Sequence, residues 1–232
     1  AARAGKIQHI PGLGLTTEQN ILKEIERVKA EPHRMLLGHA YPIAMELKRR
    51  LEQLKSVKRV EIAGSLRRGK ETVGDLDILA ISDQQKEVMD FFTTMKDVKE
   101  VVAKGTTRGA IRLDNGLDVD IRILHSDEFG SALLYFTGNK LHNIELRKLA
   151  LQKGYTLSEY GLFTLKGKRR ITGKTEAEIY QKLGLQYIPP ELREDIGEIP
   201  LAQQKKIPLL VEQKDVQGDF QTQTKWSDGS HS

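Results

Sequence analysis

Polar and apolar positions alternate along two stretches of the chain, and a period of two predicts β-strands. Residues 75–81 read DLDILAI, so Asp75 and Asp77 project from the same face of the first strand. Residues 117–123 read LDVDIRI, which places apolar side chains on one face and Asp118, Asp120 and Arg122 on the other. If the two strands are neighbours, Asp120 or Asp118 supplies a third carboxylate beside the first two.

Paired carboxylates on one strand face repel each other and are costly to bury unless a cation lies between them, and magnesium prefers such oxygen ligands. Upstream, a strand is predicted at 60–63, followed by a Gly64-Ser65 turn that can offer backbone N–H groups and a hydroxyl to a phosphate. Arg67 and Arg68 add positive charge. An isolated Asp-x-Asp is commonly a solvated strand end, and an isolated Gly-Ser is commonly a turn. Together they predict a site for a metal-bound triphosphate.

The other periodic stretches predict a mixture of helices and strands. Apolar residues at helical spacing predict a helix after Thr16 or Thr17, further helices at 31–55, 84–95 and 175–183, and two within 129–151 that Thr137 and Gly138 separate. Strands are predicted at 98–103 and within 154–165. Asn115-Gly116 predicts a two-residue hairpin before the strand at 117–123.

Composition narrows the class of protein. The chain has 232 residues, a formal net charge of +5 and a pI of about 9.2, which favours a polyanionic partner. It has no cysteine, which excludes disulfides and thiolate metal sites. No apolar run approaches the ~20 residues of a membrane span. No signal-peptide pattern is found, so we expect no membrane partner and a cytoplasmic location.

Two features favour a nucleic acid as that partner. Residues 140–182 hold ten Lys and Arg against four Glu and no Asp, which is either a solvated surface or a face for a phosphate backbone. The IPGLG sequence at 10–14 resembles half of a helix-hairpin-helix module, in which glycines let backbone N–H groups approach a DNA phosphate. The alternative for this stretch is an ordinary connection between helices. His142 is interpreted as an ordinary surface histidine.

Several segments, in order, resemble the bacterial and archaeal family X DNA polymerases, the relatives of DNA polymerase beta: GSLRRGKETVGDLD, GLDVDIRI, YFTGNKLHN, LSEYGLF and LGLQYIPPELRE. The resemblance extends over about residues 7–190. It implies an α+β fold with a nucleotidyltransferase palm, which is an antiparallel or mixed sheet with flanking helices. A helix-hairpin-helix piece would precede the palm and a small α+β thumb would follow it.

The resemblance also implies domain boundaries: 1–30 for the end of the helix-hairpin-helix fingers, 31–128 for the catalytic palm, 129–190 for the nucleotide-selecting thumb, 191–214 for a linker and 215–232 for the start of a PHP phosphoesterase-like domain. In that last segment Gln221 and Gln223 stand where the family motif has histidine ligands, so we expect this domain to lack nuclease activity. Neither end resembles a natural terminus, and we expect the chain to be part of a longer protein.

Roles for single residues follow from the same resemblance. The implied catalytic residues and ligands of two Mg²⁺ ions, for which Mn²⁺ can substitute, are Asp75, Asp77 and Asp120. The implied nucleotide-binding residues are Gly64, Ser65, Arg68, Gly74, Tyr135, Phe136, Gly138 and Asn143. The implied DNA-binding residues are Gly12, Gly14, Lys140 and Arg147. Asn139 departs from the serine that is more common in the family.

The implied activity is template-directed addition of deoxynucleoside triphosphates to a primer 3′-hydroxyl, in gap-filling DNA repair. The expected partners are primer-template or gapped DNA and deoxynucleoside triphosphates, bound by a monomer in the cytoplasm at the nucleoid. One alternative is a template-independent nucleotidyltransferase that acts on RNA or a small molecule. The other is a non-catalytic DNA-binding scaffold.

Overall fold

The computed structural model describes residues 34–220, together with Gly14, Leu15, Thr17, Gln19 and Leu22. The last four of these isolated residues are helical, so a helix is present as predicted, but Leu15 is already helical and the predicted start at Thr16 or Thr17 was wrong. Gly12, Gln221 and Gln223 lie outside the described residues. Within the described part of the chain, no helix is both long enough and apolar enough to cross a bilayer.

Ten strands and seven α-helices follow one another along residues 35–203. The strands are β1 (Met35–Leu36), β2 (Val57–Ile62), β3 (Thr72–Val73), β4 (Asp75–Ser82), β5 (Val98–Lys104), β6 (Arg108–Leu113), β7 (Asp118–Leu124), β8 (Tyr155–Ser158), β9 (Gly161–Thr164) and β10 (Arg170–Thr172). The helices are α1 (Leu37–Glu52), α2 (Gly64–Arg67), α3 (Gln85–Thr93), α4 (Phe129–Thr137), α5 (Lys140–Gln152), α6 (Glu176–Lys182) and α7 (Glu198–Gln203). Two short 3₁₀ turns lie at Pro190–Leu192 and Gln213–Asp215.

A five-stranded mixed sheet, in the order β2-β4-β7-β6-β5, forms the centre of the first half of the chain. β4 and β7 are parallel neighbours, whereas the other pairs are antiparallel. The chain leaves β4, passes through α3, β5 and β6, and returns as β7 in the same direction. The α+β fold and the mixed sheet with flanking helices are therefore as predicted.

β4 is buried on both faces beyond its first residues. Leu76 and Ile78 pack into a cluster with α1 and the other strands, and Leu79 packs on the opposite face against α4. α1 fits this cluster because Ala40, Ala44, Leu47 and Leu51 recur at helical spacing and are all buried. The polar residues at the start of β4 therefore mark the place where the strand leaves the core.

The hairpin between β6 and β7 differs from the prediction. Leu113 pairs with Leu117, so the loop has three residues, 114–116, rather than two. Gly116 has φ +85°, the left-handed conformation that ends a type I turn with a bulge. The predicted two-residue loop was wrong because the glycine here takes the bulge position.

A second apolar cluster is built from α5, α6, α7 and strands β8 and β9 of the three-stranded sheet β10-β9-β8. Ile199, Ala202 and Ile207 belong to it. Part of the segment predicted as a linker is therefore packed against the preceding domain.

His142 was interpreted as a surface histidine, and this was wrong. Its side chain is 0% exposed. Nδ1 lies 2.6 Å from Oε1 of Glu198 and Nε2 lies 2.9 Å from the hydroxyl of Tyr180. Burial lowers the pKa of His142. This histidine ties α5 to α6 and α7, a role that depends on long-range packing.

Candidate active site

The paired strands β4 and β7 bring the acidic residues of both sequence patterns together. In the parallel register Asp75 is the partner of Asp118, and Asp77 is the partner of Asp120. Asp118 is engaged, because Nε and Nη2 of Arg112 lie 2.8 and 3.2 Å from its two carboxylate oxygens. Asp120 has a looser contact, 3.6 Å from Nη2 of Arg108. Of the two alternatives left open by the sequence, Asp120 is the carboxylate that is more available.

Burial and neighbouring negative charges raise the pKa of the two aspartates on β4, Asp75 and Asp77. The pKa of Asp77 is raised to about 7, first by burial and then by the negative charges of Asp75 and Asp120, against the smaller opposing effect of Arg122 and Arg68. Burial, followed by Asp120 and Asp118, also raises the pKa of Asp75. The cluster has more negative charge than the neighbouring arginines neutralise. A divalent cation bound between the carboxylates would reduce their mutual repulsion.

The donor set fits magnesium, with part of the coordination left to other molecules. Among the described residues, no three histidine, aspartate or glutamate side chains are placed so as to hold a metal ion by themselves. Magnesium commonly keeps several waters and is held by one or two carboxylates together with substrate phosphates, rather than by a cage of protein ligands. Asp75, Asp77 and Asp120 offer carboxylates on one face and suit that kind of site.

The glycine-serine turn lies directly against β4. The backbone N–H of Ala63 donates to the carbonyl of Asp77 at 2.8 Å, and the next four residues form the single helical turn α2. Gly64 has φ +64°, and a Cβ there would lie 2.4 Å from Oδ2 of Asp77. Only glycine lets this turn approach the carboxylate so closely, so the turn and the acidic strand form one site.

The two arginines of α2 have different surroundings. Arg68 lines the cleft described below. Arg67 instead forms a fork on the buried carboxylate of Glu176, with Nη1 and Nη2 at 2.9 and 2.7 Å, and Nη1 also donates to the hydroxyl of Thr137. The prediction that Arg67 adds charge for a phosphate was therefore wrong, because its guanidinium is committed to an internal ion pair.

A cleft of about 540 Å³ opens between the sheet and helices α4 and α5. Its walls hold most of the predicted site residues: Gly64, Ser65, Arg68, Asp75, Asp77, Tyr135, Phe136, Gly138, Lys140, Asn143 and Arg147. Asn143 is fixed by a 2.7 Å hydrogen bond from Nδ2 to the carbonyl of Tyr135. The structure therefore gathers residues from two distant parts of the sequence around one space.

Three predicted residues lie apart from the cleft walls. Asp120 lies beside Asp77 on the neighbouring strand. Gly74 lies behind the wall, where a Cβ would be 3.2 Å from Nη1 of Arg34. Gly14 is exposed, with nothing within 4 Å of the position of a Cβ.

Sequence reasoning missed two arginines at the site. Arg34 lines the cleft and is held there by hydrogen bonds to Thr72, from Nε to Oγ1 at 2.9 Å and from Nη2 to the carbonyl at 2.7 Å. Arg122 lies on β7 with its guanidinium carbon 4.5 Å from the ring centre of Phe136. The alternation of β7 had placed Arg122 on the face of Asp120, but no role at the site was predicted for it. Arg34 carries no comparable signal, because the pairing of β1 with β3 places it.

Two family models match the chain. The model described as DNA polymerase beta palm matches residues 40–114, and the model described as DNA polymerase beta thumb matches residues 132–194. Together they cover more than half of the 232 residues.

Curated relatives match at the level of sequence. DNA polymerase/3′-5′ exonuclease PolX from Bacillus subtilis (strain 168) is 34% identical over 234 residues, which covers 100% of this chain and 41% of that protein. DNA polymerase lambda from Arabidopsis thaliana is 27% identical over 219 residues, covering 81% of this chain and 40% of that protein. The chain thus spans about two fifths of the length of these relatives.

Solved structures of Leishmania infantum polymerase beta share the fold. The ternary gap complex aligns with a TM-score of 0.61 at 23% identity, covering 70% of this chain and 71% of that one. The ternary P/T complex aligns with a TM-score of 0.63 at 21% identity, covering 84% of this chain and 100% of that one. The palm and thumb models and the PolX relative, together with this shared fold, show that the chain belongs to the family X, polymerase beta-like DNA polymerases.

Proposed function

We propose that this protein is a template-directed DNA polymerase, in which a primer 3′-hydroxyl attacks the α-phosphate of a deoxynucleoside triphosphate and pyrophosphate leaves. The observation that carries the proposal is the register of β4 and β7, which sets Asp77 beside Asp120, with the Gly64-Ser65 turn against the same carboxylates. A nucleophile, a triphosphate and its cations need to meet at one point, and this edge of the sheet offers ligands for all of them.

In the proposed mechanism Asp75, Asp77 and Asp120 would hold two Mg²⁺ ions, and Mn²⁺ can take their place. Such cations, when bound, supply positive charge to the attacking and leaving oxygens of an in-line displacement. Asp120, which lies beside Asp77 and has only a loose contact with Arg108, would orient the primer hydroxyl and accept its proton.

The remaining cleft residues would bind the nucleotide. Gly64 and Ser65 offer N–H groups and a hydroxyl to the phosphates, and Arg68 a guanidinium. The edge-on pair of Tyr135 and Phe136, with ring centres 5.1 Å apart, gives an apolar wall against which a sugar could pack. Gly138, whose lack of a side chain leaves room, completes that wall, and the fixed amide of Asn143 would face the base edge.

The DNA would lie along α5 and the basic region that follows it. Lys140 and Arg147 line the cleft from α5 and can contact a phosphate backbone without reading sequence. The related structures of Leishmania infantum polymerase beta are named as gap and P/T complexes, which supports gapped or primer-template DNA as the substrate and gap filling as the setting. Action as a monomer, at the nucleoid, is part of the same proposal.

Extension of a labelled primer in a gapped duplex, compared with the same primer lacking its template strand, tests the proposal. We expect one or a few nucleotides to be added only when the template is present. Equal addition without the template would instead favour the template-independent nucleotidyltransferase. DNA binding with no incorporation under either condition would favour the non-catalytic scaffold.

Replacing Arg68 with alanine should weaken the use of the triphosphate more than the binding of DNA. Arg68 lines the cleft together with Asp75 and Asp77, whereas the proposed DNA contacts, Lys140 and Arg147, line it from α5. We expect the KM for nucleotide to rise by about tenfold or more, since a lost charged hydrogen bond costs on the order of 1.5–3 kcal/mol. Nucleotide and DNA are titrated separately in this measurement.

Arg49→Ala is the control, since Arg49 is exposed on α1 and paired with Glu46. A loss confined to DNA affinity would contradict the assignment of Arg68 to the triphosphate.

A further inference from the structure

Arg68 is held from behind by two groups of the thumb side of the molecule. Its Nε donates to Oε1 of Glu194 at 2.9 Å, and its Nη1 donates to the carbonyl of Thr137 at 2.5 Å. Gly138 makes room for this arrangement, because a Cβ there would lie 3.3 Å from Nη1. In the described part of the chain Nη2 has no hydrogen-bond partner, so it is the guanidinium nitrogen that remains available to a ligand in the cleft that Arg68 lines.

The carboxylate of Glu194 is itself fixed by several donors. Besides the hydrogen bond from Arg68, it accepts one from Nδ2 of Asn139 at 3.3 Å. It also lies 3.4 Å from Nζ of Lys70. Partial burial raises the pKa of Glu194, but the hydrogen bond and charge of Arg68, followed by Lys70, outweigh it and lower the pKa. Glu194 is therefore held between Arg68 and Lys70, which follow α2, and Asn139 at the start of α5.

Asn139, which departs from the family's usual serine, explains how this anchor is held. Its Oδ1 accepts the backbone N–H of His142 at 2.8 Å and so caps α5. Its own backbone N–H donates to the carbonyl of Arg193 at 3.1 Å. The amide therefore caps the helix with its oxygen and contacts Glu194 with its nitrogen, which ties the cap of α5 to the partner of Arg68.

The position of Glu194 shows whether it supports Arg68 or competes with the triphosphate for it. Glu194 is not among the residues that line the cleft, whereas Arg68 is. The carboxylate contacts Arg68 through Nε, at 2.9 Å, and is only 23% exposed. A residue that competed with the triphosphate would need to occupy the space of the triphosphate, and Glu194 does not.

We propose that Glu194 is a positioning residue for Arg68, which it holds by Nε so that Nη2 faces the incoming triphosphate, with Asn139 fixing Glu194. The inference rests on the proposed function, since it names what holds one residue of the proposed triphosphate site. Arginine has many rotamers, and a guanidinium held in place loses less freedom when it binds a phosphate.

The test is equilibrium binding of a complementary deoxynucleoside triphosphate to the protein on gapped DNA whose primer ends in a dideoxynucleotide, so that no reaction follows. We expect Glu194→Ala to weaken nucleotide binding by about tenfold, a coupling within the usual range for contacting residues. Glu194→Gln keeps an acceptor for Nε and should recover most of the affinity. With an extendable primer, kcat at saturating nucleotide should stay within about threefold of the parent in Glu194→Ala, so that the change falls on KM.

A double-mutant cycle distinguishes positioning from a general structural effect. In an Arg68→Ala background, Glu194→Ala should have no further effect on nucleotide binding. Asn139→Ser, which keeps a cap for α5 but removes the amide donor, should weaken binding less than Glu194→Ala and leave the unfolding midpoint near that of the parent.

Three results would overturn the inference: unchanged or tighter binding in Glu194→Ala, an equal loss in the Arg68→Ala background, or no rescue by glutamine. Each variant is compared with a parent protein that binds nucleotide and extends primers. A parent that does neither would contradict the proposed function instead.

Discussion

Replacing Asp77 or Asp120 with asparagine is expected to lower single-turnover incorporation by several orders of magnitude, because each ~1.4 kcal/mol of lost transition-state stabilisation is tenfold in rate. The two residues are register partners on β4 and β7, and each supplies negative charge to the proposed cation site. An amide keeps the shape of the side chain and removes that charge. The measurement is rapid-quench extension of a gapped duplex at saturating nucleotide and magnesium.

Two controls separate chemistry from folding. Asp118→Asn changes a carboxylate on the same face of β7, but one that Arg112 already engages, so its rate should fall much less. Unfolding of Asp77→Asn without metal should require at least as much denaturant as the parent, because burial and the charges of Asp75 and Asp120 make a charged Asp77 unfavourable. Incorporation at parental rates in Asp77→Asn or Asp120→Asn would remove these residues from the proposed catalytic centre.

The largest loss of stability is expected from Glu176→Gln. Glu176 is buried between Arg67, which forms a fork on it, and Arg193, which is 0% exposed and donates from Nη1 at 2.6 Å. Neutralising one member of such a buried group leaves the other charges uncompensated and typically costs about 3–5 kcal/mol. Urea unfolding at neutral pH measures the difference. Glu145→Gln is the control, since Glu145 is exposed on α5 and pairs with Lys148, and it should change stability by less than about 1 kcal/mol.

The carboxylate of Glu176 should also make the free energy of unfolding depend on pH in the acid range. Burial raises the pKa of Glu176, but the hydrogen bond from Arg67 and the charge of Arg193 outweigh it and lower the pKa from 4.5 to about 2. Because the folded-state pKa lies below the unfolded one, the stabilisation is present above about pH 4.5 and is lost as the pH falls toward 2. The free energy of unfolding of Glu176→Gln should therefore fall less steeply than that of the parent across this interval. Parallel curves would show that Glu176 does not titrate as its contacts indicate.

Local patterns were sufficient to predict the strands that carry the acidic residues. Alternation placed Asp75 and Asp77 on one face of β4 and Asp120 on a face of β7, and side-chain direction in a strand depends only on position. The break between α4 and α5 was also predictable, because Gly138 has φ +69° and interrupts the helix. That β4 and β7 are parallel neighbours is a property of the sheet and could not be read from either strand alone.

The contacts that distinguish similar residues were not predictable from sequence. Arg67 and Arg68 are adjacent, yet one binds Glu176 and the other Glu194, more than a hundred positions away in each case. His142 has the local sequence of a surface residue and becomes buried only when α6 and α7 pack against α5. Such roles depend on tertiary partners, which composition and periodicity do not identify.

The central claim is that a template selects the nucleotide at this site, and single-nucleotide incorporation opposite each of the four template bases tests it most directly. The assay uses a one-nucleotide gap, each deoxynucleoside triphosphate in turn, and Asp77→Asn as the inactive control. We expect each template base to favour its complementary nucleotide, with every incorporation lost in the control. Incorporation of the same nucleotide opposite all four template bases, or incorporation that persists in Asp77→Asn, would contradict the account.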